Sequence, residues 1–514
     1  MGRAKAEPAD RSTTPGSDFL QLNVAAAPSG GLAAWLAGEL RLAIADGRLP
    51  VGSRLPASRV LAGDLRVSRG VVTEAYQRLN EDGHVAGRRR GGTVVVAAPL
   101  PPPPPPAPTT APADGLFETD PAPEVFERIR AAPARIDLSP GLPDLAAFPR
   151  AAWLRAERAV VGNLAPADFG YGDPRGAPAL RLAVTRWLAR YRGVGVDPDH
   201  VLVVAGFAQA LALLAHVLRQ DGITEVAVED PGSLGVRQQL QSWAVRTTPV
   251  PVDDAGLRVD ALRASGAATV LLTPAHQFPT GVVLDGERRR ELRRWADEGG
   301  LVVEDDYDAE HRYDRPPVPA LRSMLGEQVC YAGSVSKLLA PALRVGWLLP
   351  PPRYREAFVA VKRNSDLGNA VLPQLVLAHL MESGDLERHL RLLRRRHRRR
   401  RDAMVRAIAT HLPRATVHGA AAGLHVMITF RDGVDDVELA AAALARGVKV
   451  QPLSWHGRLG GRTGLVLGYA ARTTTEIDEG VAVLGEIAAN RPRQPSPERP
   501  ATTDGGLLGD RRSE

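Results

Sequence analysis

Cysteine is nearly absent: Cys330 is the only one in 514 residues, so no disulfide can form within the chain, and a reducing compartment fits. Lysine is almost as scarce. Lys5, Lys337, Lys362 and Lys449 are the only four among 65 basic Lys+Arg residues. Uninterrupted apolar runs of membrane-spanning length are missing too. The nearest, VLVVAGFAQALALLAHVL (201–218), is broken by Gly206 and Gln209 and carries His216, so it reads as strand, turn and buried helix. The opening MGRAKAEPADRSTTPGSDF has no apolar core of the signal-peptide kind. A membrane partner is therefore not expected, and the cytosol is.

What is present is the composition of a folded protein, 44% hydrophobic and 24% charged, too long for one ordinary core. The net charge of +7 and pI near 9.8 permit a nucleic-acid partner without requiring one. Composition divides the chain into a polar N-terminus (1–28), a basic block (29–97), a proline-rich linker (98–133), a large body (134–490) and a polar tail (491–514). The first and last segments are expected to be disordered. Six prolines at 101–106 favour a stiff polyproline II spacer of about 3 Å per residue.

The basic block reads as three helices and a hairpin. Leu32, Leu36, Leu40, Ile44 and Leu49 mark an amphipathic helix. Ser58–Leu65 fits a short second helix, Arg66–Val67 a turn, and Ser68–Asn80 a third helix with Ser68 as its N-cap. Two helices about a tight turn form a helix-turn-helix, whose second helix enters the DNA major groove by its N-terminal residues, here Ser68, Arg69 and Thr73. His84–Val96, with GRRRGGT at its tip, reads as a β-hairpin wing whose arginines face phosphates. RLPASR (54–59), VSRGVV (67–72), AYQRL (75–79), EDGHV (81–85) and GGTVV (91–95) resemble the winged helix-turn-helix of GntR-type bacterial regulators. The resemblance implies double-stranded operator DNA as partner. It points to Arg59 and Arg69 as contacts, with Arg54, Ser58, Ser68, Thr73, Arg89, Arg90 and Gly92 beside them.

In the body, one of the scarce lysines stands among small and apolar neighbours in VCYAGSVSKLLAPALRVGW (329–347). Arginine holds its proton at any usable pH, whereas a desolvated lysine can lose it and attack a carbonyl. LVVEDDYDAEHRY (301–313) runs a buried strand into acids, and residues at the carboxyl ends of parallel strands line ligand clefts. An acid there can keep a pyridinium nitrogen protonated. Ser334, Ser336 and Arg344 suit a phosphate beside a Schiff-base lysine, and the helix start after Gly206 is a second phosphate cradle.

These segments, with YGDPRGAPALR (171–181), EDPG (229–232) and TPAHQFPTG (273–281), resemble in order the α/β fold-type I, aspartate aminotransferase-like domain that binds pyridoxal 5'-phosphate. The resemblance implies that Lys337 is the catalytic residue that carries the cofactor. Asp305 would pair with the pyridine nitrogen and Tyr307 would lie near the ring hydroxyl. Ser334, Ser336 and Arg344 would hold the phosphate, with Gly206, Ala208 and Gln209 at the helix start. Tyr171 would reach a neighbouring subunit's phosphate. His276 or Gln277 would serve the ring hydroxyl, and no metal is expected.

Head, linker and body together resemble the MocR subfamily of GntR-type regulators. That implies a cytosolic homodimer, associated with the nucleoid when bound to DNA, whose body senses pyridoxal phosphate or its adduct with a small amine or amino acid. The alternatives are an aminotransferase with real turnover tethered to DNA, and a DNA-binding module on a body used only to dimerise. Two departures bear on turnover. Ser233 stands where many relatives have Tyr, and GLVLGYA (464–470) lacks the carboxylate-clamping Arg, leaving Arg458, Arg462 or Arg472 as substitutes. A half-reaction stays within reach of the residues. The run RLLRRRHRRRR (391–401) is expected to be a solvated basic helix face.

Overall fold

The structure is a computed structural model that describes residues 20, 22–28, 31–88, 92–97, 116–313, 318–430, 433–460 and 462–490. It divides into two compact units, residues 1–110 and 111–514. Arg89, Arg90, the prolines at 101–106 and the tail lie outside the described residues.

In the first unit, helices α1 (Leu32–Ala45), α2 (Ser58–Leu65) and α3 (Arg69–Glu81) precede a hairpin of β1 (Val85–Arg88) and β2 (Gly92–Val95). Leu36, Leu40 and Ile44, one turn apart on α1, meet Leu61 and Leu65, Val72 and Leu79, and Val85 and Val95 in one buried core. Arg66 makes the turn by adopting the left-handed region, at φ 54°. Ser68 caps α3 by accepting the Val71 N–H at 3.4 Å. The Tyr76 hydroxyl donates to Pro56 O at 2.8 Å and pins α3 to the segment before α2. Of the N-terminus expected to be disordered over 1–28, residues 1–19 and 21 lie outside the described residues. Leu20 is buried in this core and residues 24–26 form a short 3-10 turn, because Leu20, Leu22 and Val24 supply apolar surface that the small core accommodates.

The second unit begins earlier than residue 134. Phe117 stacks on Trp455 with ring centroids 5.5 Å apart, and the Trp455 indole donates to Glu118 O at 2.7 Å. Helix α4 (Val125–Ala131) then buries Val125 and Ile129, a turn apart, against Leu234 and Leu444. The linker of 98–133 therefore loses its second half to the body, since Leu116, Phe117, Val125 and Ile129 have a core to enter. Strand β3 (Ile136–Asp137) follows.

Eight strands build the main sheet: β4 (Leu202–Val204), β5 (Glu225–Asp230), β6 (Arg246–Asp253), β7 (Gly256–Leu257), β8 (Thr269–Leu272), β9 (Leu301–Asp306), β10 (Val329–Ser334) and β11 (Gly346–Leu349). Their order is β4-β11-β10-β9-β8-β5-β6-β7. The run β6-β5-β8-β9-β10 is parallel, and β11 is antiparallel to both its neighbours. Alternate residues feed two cores. Val203, Ala227, Val302 and Tyr331 pack on one face, and Val204, Val228, Val303 and Cys330 on the other. Burial on both faces explains why these strands read as continuous apolar runs. The 201–218 stretch is strand β4, the turn at Gly206 and helix Phe207–Gln220, as expected.

A smaller antiparallel sheet has order β12 (Ala415–His418), β13 (His425–Phe430), β16 (Gly464–Gly468), β15 (Gln451–Pro452), while β14 (Val448–Lys449) pairs with β3. Helix Asp385–His411 runs beside it and carries the arginine run. The expectation of a solvated face is only half right. Arg396 and Arg400 both bind Asp144 at 2.7 Å, Arg394 donates to Glu310 O at 3.3 Å, and Arg398 and Arg401 donate to the carbonyls of Tyr313 and Ala420. These arginines saturate carbonyl groups of neighbouring loops, which a buried loop edge requires. No helix among the described residues is long and apolar enough to cross a membrane.

Candidate ligand and DNA sites

Asp305 lies across from Ala332 in the parallel pairing of β9 and β10, and Lys337 follows three residues after β10 ends. Pleating separates the three consecutive acids of β9. Glu304 accepts the N–H groups of Leu321 and Arg322 at 2.8 and 3.0 Å. Asp306 accepts Arg192 Nε and the Tyr331 hydroxyl, each at 2.6 Å. Asp305 points the other way and has no hydrogen-bond partner among the described residues. Burial, then Asp306 and Asp308, raise its pKa well above the carboxylate range, while Lys337 draws it down. A cationic N–H donor would satisfy this acid, which is what a protonated pyridine nitrogen offers.

The Lys337 amine donates to Gly141 O at 2.5 Å. Burial lowers its pKa, opposed by the charges of Asp308 and Asp305. Gly141 has φ +79°, and a Cβ there would sit 3.3 Å from the amine, so the loop depends on glycine. The Tyr307 hydroxyl donates to His276 O at 3.1 Å, and His276 Nδ1 is 3.0 Å from both that hydroxyl and Asp308 Oδ2. Burial pushes the Tyr307 pKa up. Of the two candidates beside Tyr307, His276 is the one that touches it. Gln277 is consumed by its own loop, donating to Pro231 O and Phe278 O at 2.8 and 2.7 Å and accepting Thr280 N and Oγ1 at 3.0 and 2.6 Å.

Arg344 reaches the start of helix Phe207–Gln220, where it donates to Ala205 O. Gly206, at φ +79°, permits this: a Cβ there would come within 3.3 Å of the guanidinium. The helix has no side-chain cap, so the N–H groups of Phe207 and Ala208 lack an acceptor one turn back. Ser334 and Ser336 sit together, the Ser336 N–H donating to Ser334 Oγ at 3.4 Å. Gln209 turns away, accepting Ala205 N at 2.8 Å and donating to Asp366 at 2.7 Å. An uncapped helix start, two hydroxyls and one arginine fit a phosphate dianion.

Tyr171 is 93% exposed and joins none of these residues. Leu145, Leu154, Val161 and Phe169, all exposed, accompany it on the same stretch of chain. Ser233 caps helix Leu234–Ser242 by accepting Val236 N at 3.4 Å. The three candidate carboxylate arginines are otherwise engaged or remote. Arg458 donates to Thr247 O at 3.2 Å, Arg472 donates to Asp137 O at 3.2 Å, and Arg462 is exposed. On β16 itself Val466 is fully buried with Met427 and Leu453, and Phe278 packs against them.

In the head, Ser68, Arg69 and Thr73 are exposed along the first turn of α3. Arg69 Nε reaches Ser58 Oγ at 3.4 Å, which joins the starts of α2 and α3 into one face, and Arg59 is exposed beside them. Thr73 donates its hydroxyl to Arg69 O at 2.9 Å. Arg54 bridges to Val94 of the wing, and Gly92 opens β2 at φ 74°.

Sequence reasoning overlooked Gly141, the Arg192–Asp306–Tyr331 cluster and Asp308. Asp308 lay within the quoted acidic motif, and its spacing from His276 had no local signal.

Residues 32–95 match the bacterial regulatory proteins of the gntR family, and residues 135–484 match the class I and II aminotransferases. The chain is 32% identical over 454 residues to the probable rhizopine catabolism regulatory protein MocR of Rhizobium meliloti, covering 87% of this chain and 91% of that protein. It is 32% identical over 438 residues to the pyridoxine biosynthesis transcriptional regulator PdxR of Corynebacterium glutamicum, covering 84% and 90%. The kynurenine aminotransferase of Pyrococcus horikoshii, solved in complex with PMP, superposes with TM-score 0.65 and 26% identity over 71% of this chain and 93% of that one.

A gntR-type winged helix-turn-helix and a fold-type I aminotransferase-like unit on one chain define a helix-turn-helix transcription regulator with a pyridoxal-phosphate fold. The chain belongs to the MocR branch of the GntR family.

Proposed function

We propose that this regulator holds pyridoxal 5'-phosphate at Lys337 and reads a small amine or amino acid there, as a homodimer in the bacterial cytosol. Bound pyridoxal phosphate supplies an aldehyde and an electron-withdrawing ring. The chain's own residues do the rest. Burial frees the Lys337 amine of its proton at lower pH than an exposed lysine, so it can act as a nucleophile. Asp305 holds a proton on the ring nitrogen, and Tyr307, braced by His276 and Asp308, supports the ring oxygen. Arg344, Ser334, Ser336 and the N–H groups at Phe207 and Ala208 hold the phosphate. Tyr171, projecting into solvent, extends to the second subunit.

One observation carries the reading: of three adjacent acids on β9, only the one beside Lys337 lacks a hydrogen-bond partner among the described residues. Val466 and its apolar neighbours favour a sensor over a transaminase with turnover, since no arginine of β16 clamps a carboxylate. In the head, Arg59 and Arg69 contact operator DNA. The purified protein should be yellow and lose its visible band in Lys337→Ala. A protein that stays colourless after cofactor is added overturns this reading.

A further inference from the structure

The structure separates the arginine run of helix Asp385–His411 into two populations. Arg394, Arg396, Arg400 and Arg401 turn to carbonyls and to Asp144. Arg391, Arg395 and Arg399 are spaced by four residues, so they share one face, and Arg406 continues it two turns on. All four are exposed, and none has an acidic partner within ion-pair distance among the described residues. Two acids of this helix that could neutralise them are occupied, and a third is largely covered. Asp385 binds Arg388 at 2.6 Å, Asp402 binds Arg401 at 2.7 Å, and Glu387 is largely covered and turned toward Arg190 at 4.0 Å. Holding several like charges on a helix costs stability, and this helix keeps them.

We propose that the Arg391–Arg395–Arg399–Arg406 face is a second DNA-contacting surface, which binds phosphates of duplex DNA. From Arg391 to Arg406 the helix rises about 22 Å, and successive members of the first three stand about 6 Å apart. Duplex DNA carries one charge per ~1.7 Å of its axis, so each guanidinium can meet a phosphate along that length. Arginine suits this because its planar fork pairs with phosphate oxygens bidentately. Such contacts carry no sequence information. They add affinity for long DNA and steepen its salt dependence.

The test measures binding of the full chain to a 60-bp duplex of arbitrary sequence, by fluorescence anisotropy across a salt series. The parent is compared with Arg391→Gln/Arg395→Gln/Arg399→Gln, and with the same three positions changed to Lys. Each phosphate contact contributes about 0.9 to the slope of log affinity against log salt. The Gln variant should therefore lose about 2 to 3 from the slope, and the parent should weaken about 40-fold more than the variant between 50 and 200 mM salt. The Lys variant should keep most of the slope. An unchanged slope in a Gln variant that retains the parent's melting temperature overturns the proposal. So does a loss that the Lys variant shares in full. Arg59→Ala/Arg69→Ala, run in parallel on operator DNA, reports on the heads separately.

Discussion

The Lys337 amine rests 2.5 Å from the carbonyl oxygen of Gly141, a contact that links the end of β10 to a loop almost two hundred residues earlier. That loop is fixed in turn, because Asp144 is held by Arg396 and Arg400. The lysine is thus held half-buried at a defined position, where desolvation lowers its proton affinity and the charges of Asp308 and Asp305 raise it.

A stability test follows from the lowered lysine pKa. Between its folded value and the ordinary lysine value of about 10.4, the folded state binds fewer protons than the unfolded state. Stability of the cofactor-free protein therefore gains a contribution from Lys337 that rises with pH across that window. Lys337→Met removes it. The melting temperature of the variant minus that of the parent should fall steadily as pH is raised, and a flat difference contradicts the burial argument.

Asp308 raises the lysine pKa by its charge. In Asp308→Asn the amine should lose its proton at lower pH, shifting the midpoint for appearance of the visible band in a pH titration downward. A midpoint that moves up would show that the His276 contact, not the charge, governs the lysine.

The Arg192–Asp306 pair is almost fully buried, and Tyr331 adds a second hydrogen bond to the acid. Arg192→Met leaves Asp306 charged and uncompensated, which should cost roughly 3–5 kcal/mol in the denaturant transition of the body. The double change Arg192→Met/Asp306→Leu should recover much of that loss. If the single and double variants are equally unstable, the pair is not what matters at this position.

Arg69 and Arg59 are exposed on the face joining α2 and α3, where Arg69 reaches Ser58. Each change to Ala should weaken operator binding by about 1–3 kcal/mol where the side chain reads a base. A uniform loss over all sequences, with a smaller salt slope, would assign the residue to phosphate contact instead.

Much of this molecule was legible in advance because its signals are local. The spacing of Leu36, Leu40 and Ile44, Ser68 as a cap, and the run of strand, acid and lysine each depend on a few adjacent residues. The pairing of Asp305 with the Lys337 region rests on order along the chain, which the parallel sheet turns into proximity. What escaped depends on long-range partners. Phe117 finds Trp455, Lys337 finds Gly141, and Arg192 finds Asp306, with no local pattern to announce any of them. The arginine run misled for the same reason. Which of its members face inward is decided by Asp144 and by carbonyls of distant loops.

In the proposed function, ligand capture at Lys337 is coupled to DNA binding by the winged helix-turn-helix of the same chain. Footprinting of the DNA upstream of this gene, with and without pyridoxal phosphate and a panel of small amines, tests it most directly when parent and Lys337→Ala are run side by side. The parent's footprint should change in extent or affinity when cofactor and the right amine are added, while that of Lys337→Ala stays constant. Identical responses from both proteins, or a parent footprint indifferent to every addition, would contradict the account.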